Sequence, residues 1–133
     1  MLDFDYECDQ EKSVVGIVDP FQSEHEAMFF WGSEVIQIPV YKNICSLMQN
    51  HGHVNMCINF ASMRSCYNFS AEIMDSYSDK IEQIVIIAEG VPDDLTRNLA
   101  IRSKESGVRI IGPSTVGGII PGHLKVFGLK YFF

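Results

Sequence analysis

The feature that most constrains the fold is a short, unbroken apolar run, IVIIA at residues 84–88. The run has the length of a strand, and the segment after it carries apolar residues at helical spacing, Leu95 and Leu99. An apolar run without polar alternation is expected of a central parallel strand that is covered on both faces. Similar runs alternate with helical segments along the chain, and this alternation indicates an α/β fold with a parallel sheet.

The same patterns predict the order of the elements. Strands are predicted at residues 14–18, 34–40, 54–60, 84–88 and 108–111, and helices at residues 42–50, at 63–77, and between Pro92 and Gly107. Pro39 indicates a sheet edge or the end of a strand, because proline has no N–H to donate. Ser62 is predicted to cap the helix at residues 63–77. The apolar cluster at residues 28–31 could be core or a contact with a partner, and of the two the core is predicted.

With 133 residues, the chain has the length of one domain. A doubly wound nucleotide-binding sheet usually opens with a strand and a glycine-rich turn, and residues 1–13 contain neither. We therefore expect a single domain over residues 1–126 that lacks this first strand and turn. Residues 127–133 form an aromatic tail that matches no neighbouring pattern, and an exposed tail of this kind is expected to aggregate.

Charge and cysteine usage exclude several functions. A net charge of −7 argues against nucleic acid or an anionic membrane surface as a partner, since both attract a positive surface. No apolar run reaches the roughly 18 to 20 residues that cross a bilayer. The four cysteines contain no CxxC pair, and the acidic first residues do not resemble a signal peptide, so we expect a reducing cytoplasmic location. The histidines have no metal-ligand spacing, and no metal site is predicted.

Three loops are expected at the carboxyl ends of the strands, where open α/β sheets bind ligands. The first loop, residues 59–65, contains Ser62, Arg64 and Ser65 beside the start of a helix. Backbone N–H groups at a helix N-terminus attract anions, and an arginine side chain adds a positive fork that suits phosphate. The first loop therefore predicts a phosphate site. A plain helix cap with a solvated Arg64 would have the same sequence.

The second loop, residues 89–92, places Glu89 directly after the buried strand. A carboxylate there could orient an imidazole or hold a proton, or it could simply face the dipole of the following helix. The third loop, residues 112–118, has glycines and hydroxyl residues that allow the backbone to approach a ligand closely. A simple connector would look much the same.

Four stretches together resemble the ATP-citrate lyase family, and they occur in the family's order: MLDFDY at residues 1–6, INFASMRS at 58–65, IIAEGVP at 86–92 and IIGPSTVGG at 110–118. The resemblance extends over residues 1–126, and it includes more distantly the α subunit of succinyl-CoA synthetase. It implies a Rossmann-like parallel sheet with helices on both faces, truncated because the first strand and the glycine-rich turn are missing.

The family resemblance also implies roles for individual residues. Phe21 would lie against the adenine of coenzyme A (CoA), Phe60, Ser62, Arg64 and Ser65 would form the CoA-binding loop, Ile87 would line the pocket, and Glu89 would lie near a phosphohistidine. ATP and Mg would bind to parts of the enzyme that these residues do not include. The remainder of ATP-citrate lyase, a homotetramer, would be the partner.

Three functions follow as hypotheses. The first is a segment of ATP-citrate lyase, which makes acetyl-CoA and oxaloacetate from citrate, CoA and ATP; the isolated chain is expected to be inactive. The second is a non-catalytic module that binds CoA or enzyme subunits. An unrelated dehydrogenase is the third, and the absence of a GxGxxG turn argues against it.

Overall fold

The structure is a computed structural model that describes residues 1–121 and 124–126. The predicted tail at residues 127–133 lies outside the described residues. The elements in chain order are α1 (Leu2–Glu7), β1 (Ile17–Val18), β2 (His25–Trp31), β3 (Glu34–Tyr41), α2 (Ile44–Asn50), β4 (Met56–Asn59), α3 (Cys66–Ser76), β5 (Gln83–Ile86), α4 (Asp93–Ser106), β6 (Arg109–Ile111), β7 (Gly118–Ile120) and β8 (Leu124–Val126).

The chain divides into two compact units. The first unit comprises Met1–His53 together with the described residues from Gly118 to Val126, and the second comprises Val54–Gly117. The first unit contains a three-stranded sheet and the two-stranded antiparallel sheet β7-β8, and the second unit contains one three-stranded sheet. Each unit has its own buried side chains. A single domain over residues 1–126 stays a prediction.

The second unit contains the parallel sheet that the sequence predicts. Its strand order is β4-β5-β6, and both pairs of neighbouring strands are parallel. Ile84, Val85 and Ile86 of the central strand β5 are at most 2% exposed. The prediction from the apolar run at residues 84–88 is therefore confirmed, together with the α/β class.

The helices of the second unit connect consecutive parallel strands. α3 and α4 contact each other, so both lie on one face of this sheet. α3 and α4 are the two helices of residues 54–117. α4 is the better delimited helix: it follows Pro92, buries Leu99 to 1% exposure and ends at Gly107 in the left-handed conformation, φ +79°. A terminal glycine at positive φ is the predicted helix stop.

The start of α3 differs from the prediction. Ser62 does not cap the helix, because a turn at residues 63–65 intervenes and Ser65 is the N-cap. The carbonyl oxygen of Ser62 accepts hydrogen bonds from the N–H groups of Ser65 and Cys66, both at 2.9 Å. The prediction was wrong because residue type alone did not distinguish a helix cap from the first residue of the preceding turn.

The first unit is built on a β-hairpin that the sequence analysis did not predict. β2 and β3 pair antiparallel through a two-residue turn at Gly32 and Ser33, and the sheet order is β1-β3-β2. The strand predicted at residues 14–18 is shorter in the structure: β1 comprises Ile17 and Val18, which pair with Val40 and Tyr41. Pro39 therefore lies in the central strand, one residue before the part that pairs with β1. The sheet-edge alternative was wrong, whereas a position two residues before the end of β3 fits the strand-end alternative.

The apolar cluster at residues 28–31 is split between the two faces of β2. Met28 and Phe30 are 73% and 75% exposed, whereas Phe29 and Trp31 are partly buried. The ring of Trp31 meets the ring of Tyr6 edge to face at 5.7 Å. The prediction of a common core was wrong because alternate residues of a strand point to opposite faces.

α2 agrees with its predicted position. Its N-cap Asn43 accepts a hydrogen bond from Ser46 N–H at 2.8 Å, and its inner face buries Ile44, Leu47 and Met48. Within residues 1–121 and 124–126, every helix falls short of the length and apolar character that a membrane crossing needs.

Candidate functional site

The three predicted loops meet at the carboxyl end of the second unit's sheet. Ile87 directly follows β5 and precedes the second loop, and its N–H donates to the Asn59 carbonyl oxygen at 3.1 Å. Ser114 N–H of the third loop donates to the carbonyl oxygen of Ala88 at 2.9 Å. A methyl group built on Gly90 would lie 3.3 Å from Sδ of Met63 in the first loop. The parallel register thus brings together segments that are far apart in sequence.

The first loop presents polar groups on its surface. The side chains of Phe60, Ser62, Arg64 and Ser65 are all exposed. The backbone N–H groups of Met63 and Arg64 donate to no acceptor within the described part of the chain. Donors in a turn that leads into a helix N-terminus are suited to an anion, because the positive end of the helix dipole adds to them.

Arg64 is available for a ligand. Among residues 1–121 and 124–126 the ion pair found joins Arg102 to Asp75 at 2.7 Å, and Arg64 takes part in none. An arginine without a carboxylate partner keeps all five guanidinium N–H donors for other acceptors. Its position beside unpaired backbone N–H groups concentrates positive charge on an otherwise acidic chain.

Asn59 is the residue that sequence reasoning missed. It is the last residue of β4, and only 2% of it is exposed. Its Nδ2 donates to the Cys66 carbonyl oxygen and to Ser70 Oγ, both at 3.0 Å, and its Oδ1 accepts from Ala61 N–H at 2.9 Å. An asparagine that binds the N–H two residues on is a turn signal at sequence level. The two bonds to α3 follow only from the tertiary structure.

The second and third loops complete the edge. Ile87 is half-buried and Glu89 is exposed, directly before Gly90 at φ +71°. Gly112 has φ +101°, and a Cβ at this position would overlap the carbonyl oxygen of Ile86. Glycine is therefore required where the third loop crosses the end of β5. Thr115 Oγ1 accepts a hydrogen bond from Gly117 N–H at 3.2 Å and stabilises that loop.

Phe21 belongs to the first unit, whereas the three loops follow strands of the second unit. Its side chain is 93% exposed, and its N–H donates to Asp19 Oδ1 at 3.0 Å. The structure thus brings Phe60, Ser62, Arg64, Ser65, Ile87 and Glu89 to one edge of a sheet and places Phe21 in the other unit. Their roles stay predictions.

Burial affects the chemistry of two cysteines of the second unit. Burial raises the pKa of the Cys57 thiol to about 12 and also raises the pKa of the Cys66 thiol. Both thiols are protonated at neutral pH and are weak nucleophiles. Within the described ranges no three His, Cys, Asp or Glu side chains lie close enough together to hold a metal ion.

Similar proteins agree on one family. No protein-family model matches the chain. ATP-citrate synthase of Bos taurus and that of Homo sapiens are each 50% identical to it over 127 residues, which is 95% of this chain. A probable ATP-citrate synthase subunit 1 of Schizosaccharomyces pombe is 44% identical over the same length. The chain spans 12%, 11% and 20% of these three relatives, respectively.

Solved structures agree as well. The structure of ATP citrate lyase from Methanothrix soehngenii in complex with citrate and coenzyme A matches with a TM-score of 0.86 and 35% identity. The match covers 92% of this chain and 20% of that one. The similarity extends over nearly all of the chain in both sequence and fold, so this chain is similar to one segment of ATP-citrate synthase, or ATP citrate lyase.

Proposed function

We propose that the chain binds CoA and that the first loop holds a phosphate group of this ligand. The proposal rests on two kinds of donor in the same turn. The backbone N–H groups of Met63 and Arg64 have no acceptor among the described residues, and the Arg64 side chain has no ion pair there. Ser62 and Ser65 add exposed hydroxyl donors to the same turn. The complex of the Methanothrix soehngenii relative with coenzyme A supports this choice of ligand.

Apolar contacts would hold the rest of the ligand. Phe60 and Ile87 follow the adjacent ends of β4 and β5, so they flank the first loop and can contact the pantetheine arm. Phe21 is a separate part of the proposal. Its exposed ring suits stacking on adenine, and its contribution is to be measured by its own substitution.

The reaction belongs to the proposal at the level of the whole enzyme. The relatives' names and the family resemblance support a segment of an enzyme that converts citrate, CoA and ATP to acetyl-CoA, oxaloacetate, ADP and phosphate. Glu89 is proposed to lie beside the phosphohistidine of that enzyme, where a carboxylate can orient the imidazole or hold a proton. ATP and Mg would bind to other parts of a homotetrameric, cytoplasmic enzyme.

The decisive experiment is a calorimetric titration of the 133-residue chain with CoA, accompanied by an assay for acetyl-CoA formed from citrate, CoA and ATP. We expect binding of CoA and no formation of acetyl-CoA. Absence of CoA binding would contradict the proposal. Formation of acetyl-CoA by the pure chain would contradict the assignment of the phosphohistidine and ATP sites to other parts of the enzyme.

The alternative function is a non-catalytic module that binds CoA or full-length subunits. The exposed apolar side chains Met28, Phe30 and Val35 of the β2–β3 hairpin favour a protein contact. Replacement of the chain's equivalent in an active enzyme by this chain distinguishes the two functions. Recovered citrate cleavage supports the enzyme segment, and its loss with intact CoA binding supports the module.

A further inference from the structure

We infer that Asn59, together with Ser70, is the positioning residue of the first loop: it sets the geometry in which the loop's N–H groups and Arg64 meet a phosphate. The inference rests on the proposed function, because the ligand is the CoA phosphate. Asn59 itself contacts α3 and the loop backbone from a buried position and is not proposed to contact the ligand.

The hydrogen bonds of Asn59 tie together three segments. Its two Nδ2 bonds reach Cys66 and Ser70 on the first two turns of α3, and its Oδ1 bond returns to Ala61 within the loop. Its backbone carbonyl oxygen accepts from Ile87 N–H of the neighbouring connection. One side chain therefore fixes the strand end, the loop and the helix start with respect to each other.

These bonds act where no backbone ladder acts. The loop leaves β4 at Asn59 and re-enters regular structure only at Cys66. Between these points the backbone N–H groups of Ser65 and Cys66 donate to the Ser62 carbonyl oxygen and close the turn. The side-chain amide of Asn59 joins the end of β4 to the loop at Ala61 and to the start of α3. A loop held in this way presents its donors without first having to order them, and this increases affinity for a ligand.

Because Asn59 and Ser70 are buried, each of their hydrogen bonds depends on a partner within the protein. Asn59 is 2% exposed and Ser70 is 0% exposed, so water cannot replace a lost partner without opening the site. An amide is the group that fits, because it donates twice through Nδ2 and accepts through Oδ1. A carboxylate of the same shape accepts but cannot donate, and it would place negative charge beside the Cys66 carbonyl oxygen.

The test uses nuclear magnetic resonance titrations of the full 133-residue chain with CoA, following the amide signals of Met63 and Arg64. The variants are Asn59→Asp, which removes both donated bonds, and Ser70→Ala, which removes one acceptor and adds no charge. The control is Ile73→Val on the same helix, where a fully buried side chain about two turns beyond Cys66 loses one methyl group. Signals of the folded chain report its CoA affinity separately from its stability.

We expect Ser70→Ala to raise the dissociation constant for CoA by about threefold to tenfold, as the loss of one hydrogen bond implies. Asn59→Asp should raise it further, and both variants should change the CoA-induced shifts of Met63 and Arg64. Ile73→Val should bind CoA as the wild type does. Because Asn59→Asp can fail to fold, Ser70→Ala provides the independent measurement.

Wild-type affinity in Ser70→Ala, or an equal loss of affinity in Ile73→Val, would overturn the inference. If the wild-type chain binds CoA and Arg64→Ala weakens this binding while Ser70→Ala and Asn59→Asp do not, only the positioning role fails. If the wild-type chain binds no CoA at all, the proposed function fails and the inference fails with it.

Discussion

Arg64→Ala tests the phosphate site most directly. A hydrogen bond to a charged group contributes about 1.5 to 3 kcal/mol, which corresponds to roughly tenfold to a hundredfold in affinity. The side chain is exposed, and solvent screening weakens charge interactions at the surface. We therefore expect the dissociation constant for CoA to rise by about tenfold. Arg64→Lys should recover part of the loss, because an ammonium group keeps the charge but not the two-pronged geometry.

The assay is calorimetric titration with CoA at low and high salt, and Arg109→Ala is the matched control. Arg109 opens β6 and pairs with Gln83, the first residue of β5, so it lies at the amino end of the sheet, opposite the loops. Both variants remove one positive charge. Unchanged CoA affinity in Arg64→Ala, or an equal loss in Arg109→Ala, would refute a local phosphate contact and leave only a general charge effect.

Three further predictions concern stability, measured by urea unfolding. Burial raises the pKa of Cys57 from 9.0 to about 12 in the folded chain. The contribution of the protonated thiol to the free energy of unfolding is therefore complete below pH 9 and is lost between pH 9 and 12. Stability should fall there with a slope approaching about 1.4 kcal/mol per pH unit, and Cys57→Ala should flatten it; an unchanged slope contradicts the assigned burial. Gly112→Ala should destabilise the chain by clearly more than Gly107→Ala, because a Cβ at Gly112 overlaps a carbonyl oxygen whereas nothing lies within 4 Å of one at Gly107; equal losses would show that positive φ alone matters. Leu99→Ala should cost about 2 to 5 kcal/mol, and a loss below about 1 kcal/mol would show that this 1% exposed side chain is not packed as described.

Local sequence signals predicted the second unit better than the first. The apolar run of β5 and the stop of α4 at Gly107 are properties of neighbouring residues, so they can be recognised in the sequence. β2 was not predicted, because its pairing with β3 defines it as a strand. The periodicity of the β2 sequence does not indicate that pairing. The aromatic residues at 29–31 also hid the alternation of faces, since all three are apolar.

The candidate site shows the same division. Sequence identified Arg64, Ser62 and Glu89 as polar residues after strands, because strand ends and helix starts are local features and the family resemblance names the same motifs. Only the tertiary structure decided that Ser65 rather than Ser62 precedes α3, and that Asn59 reaches Cys66 and Ser70 from the end of β4. Parallel pairing brings distant loops to one edge, and hydrogen bonds between them depend on that three-dimensional arrangement, which no local pattern records.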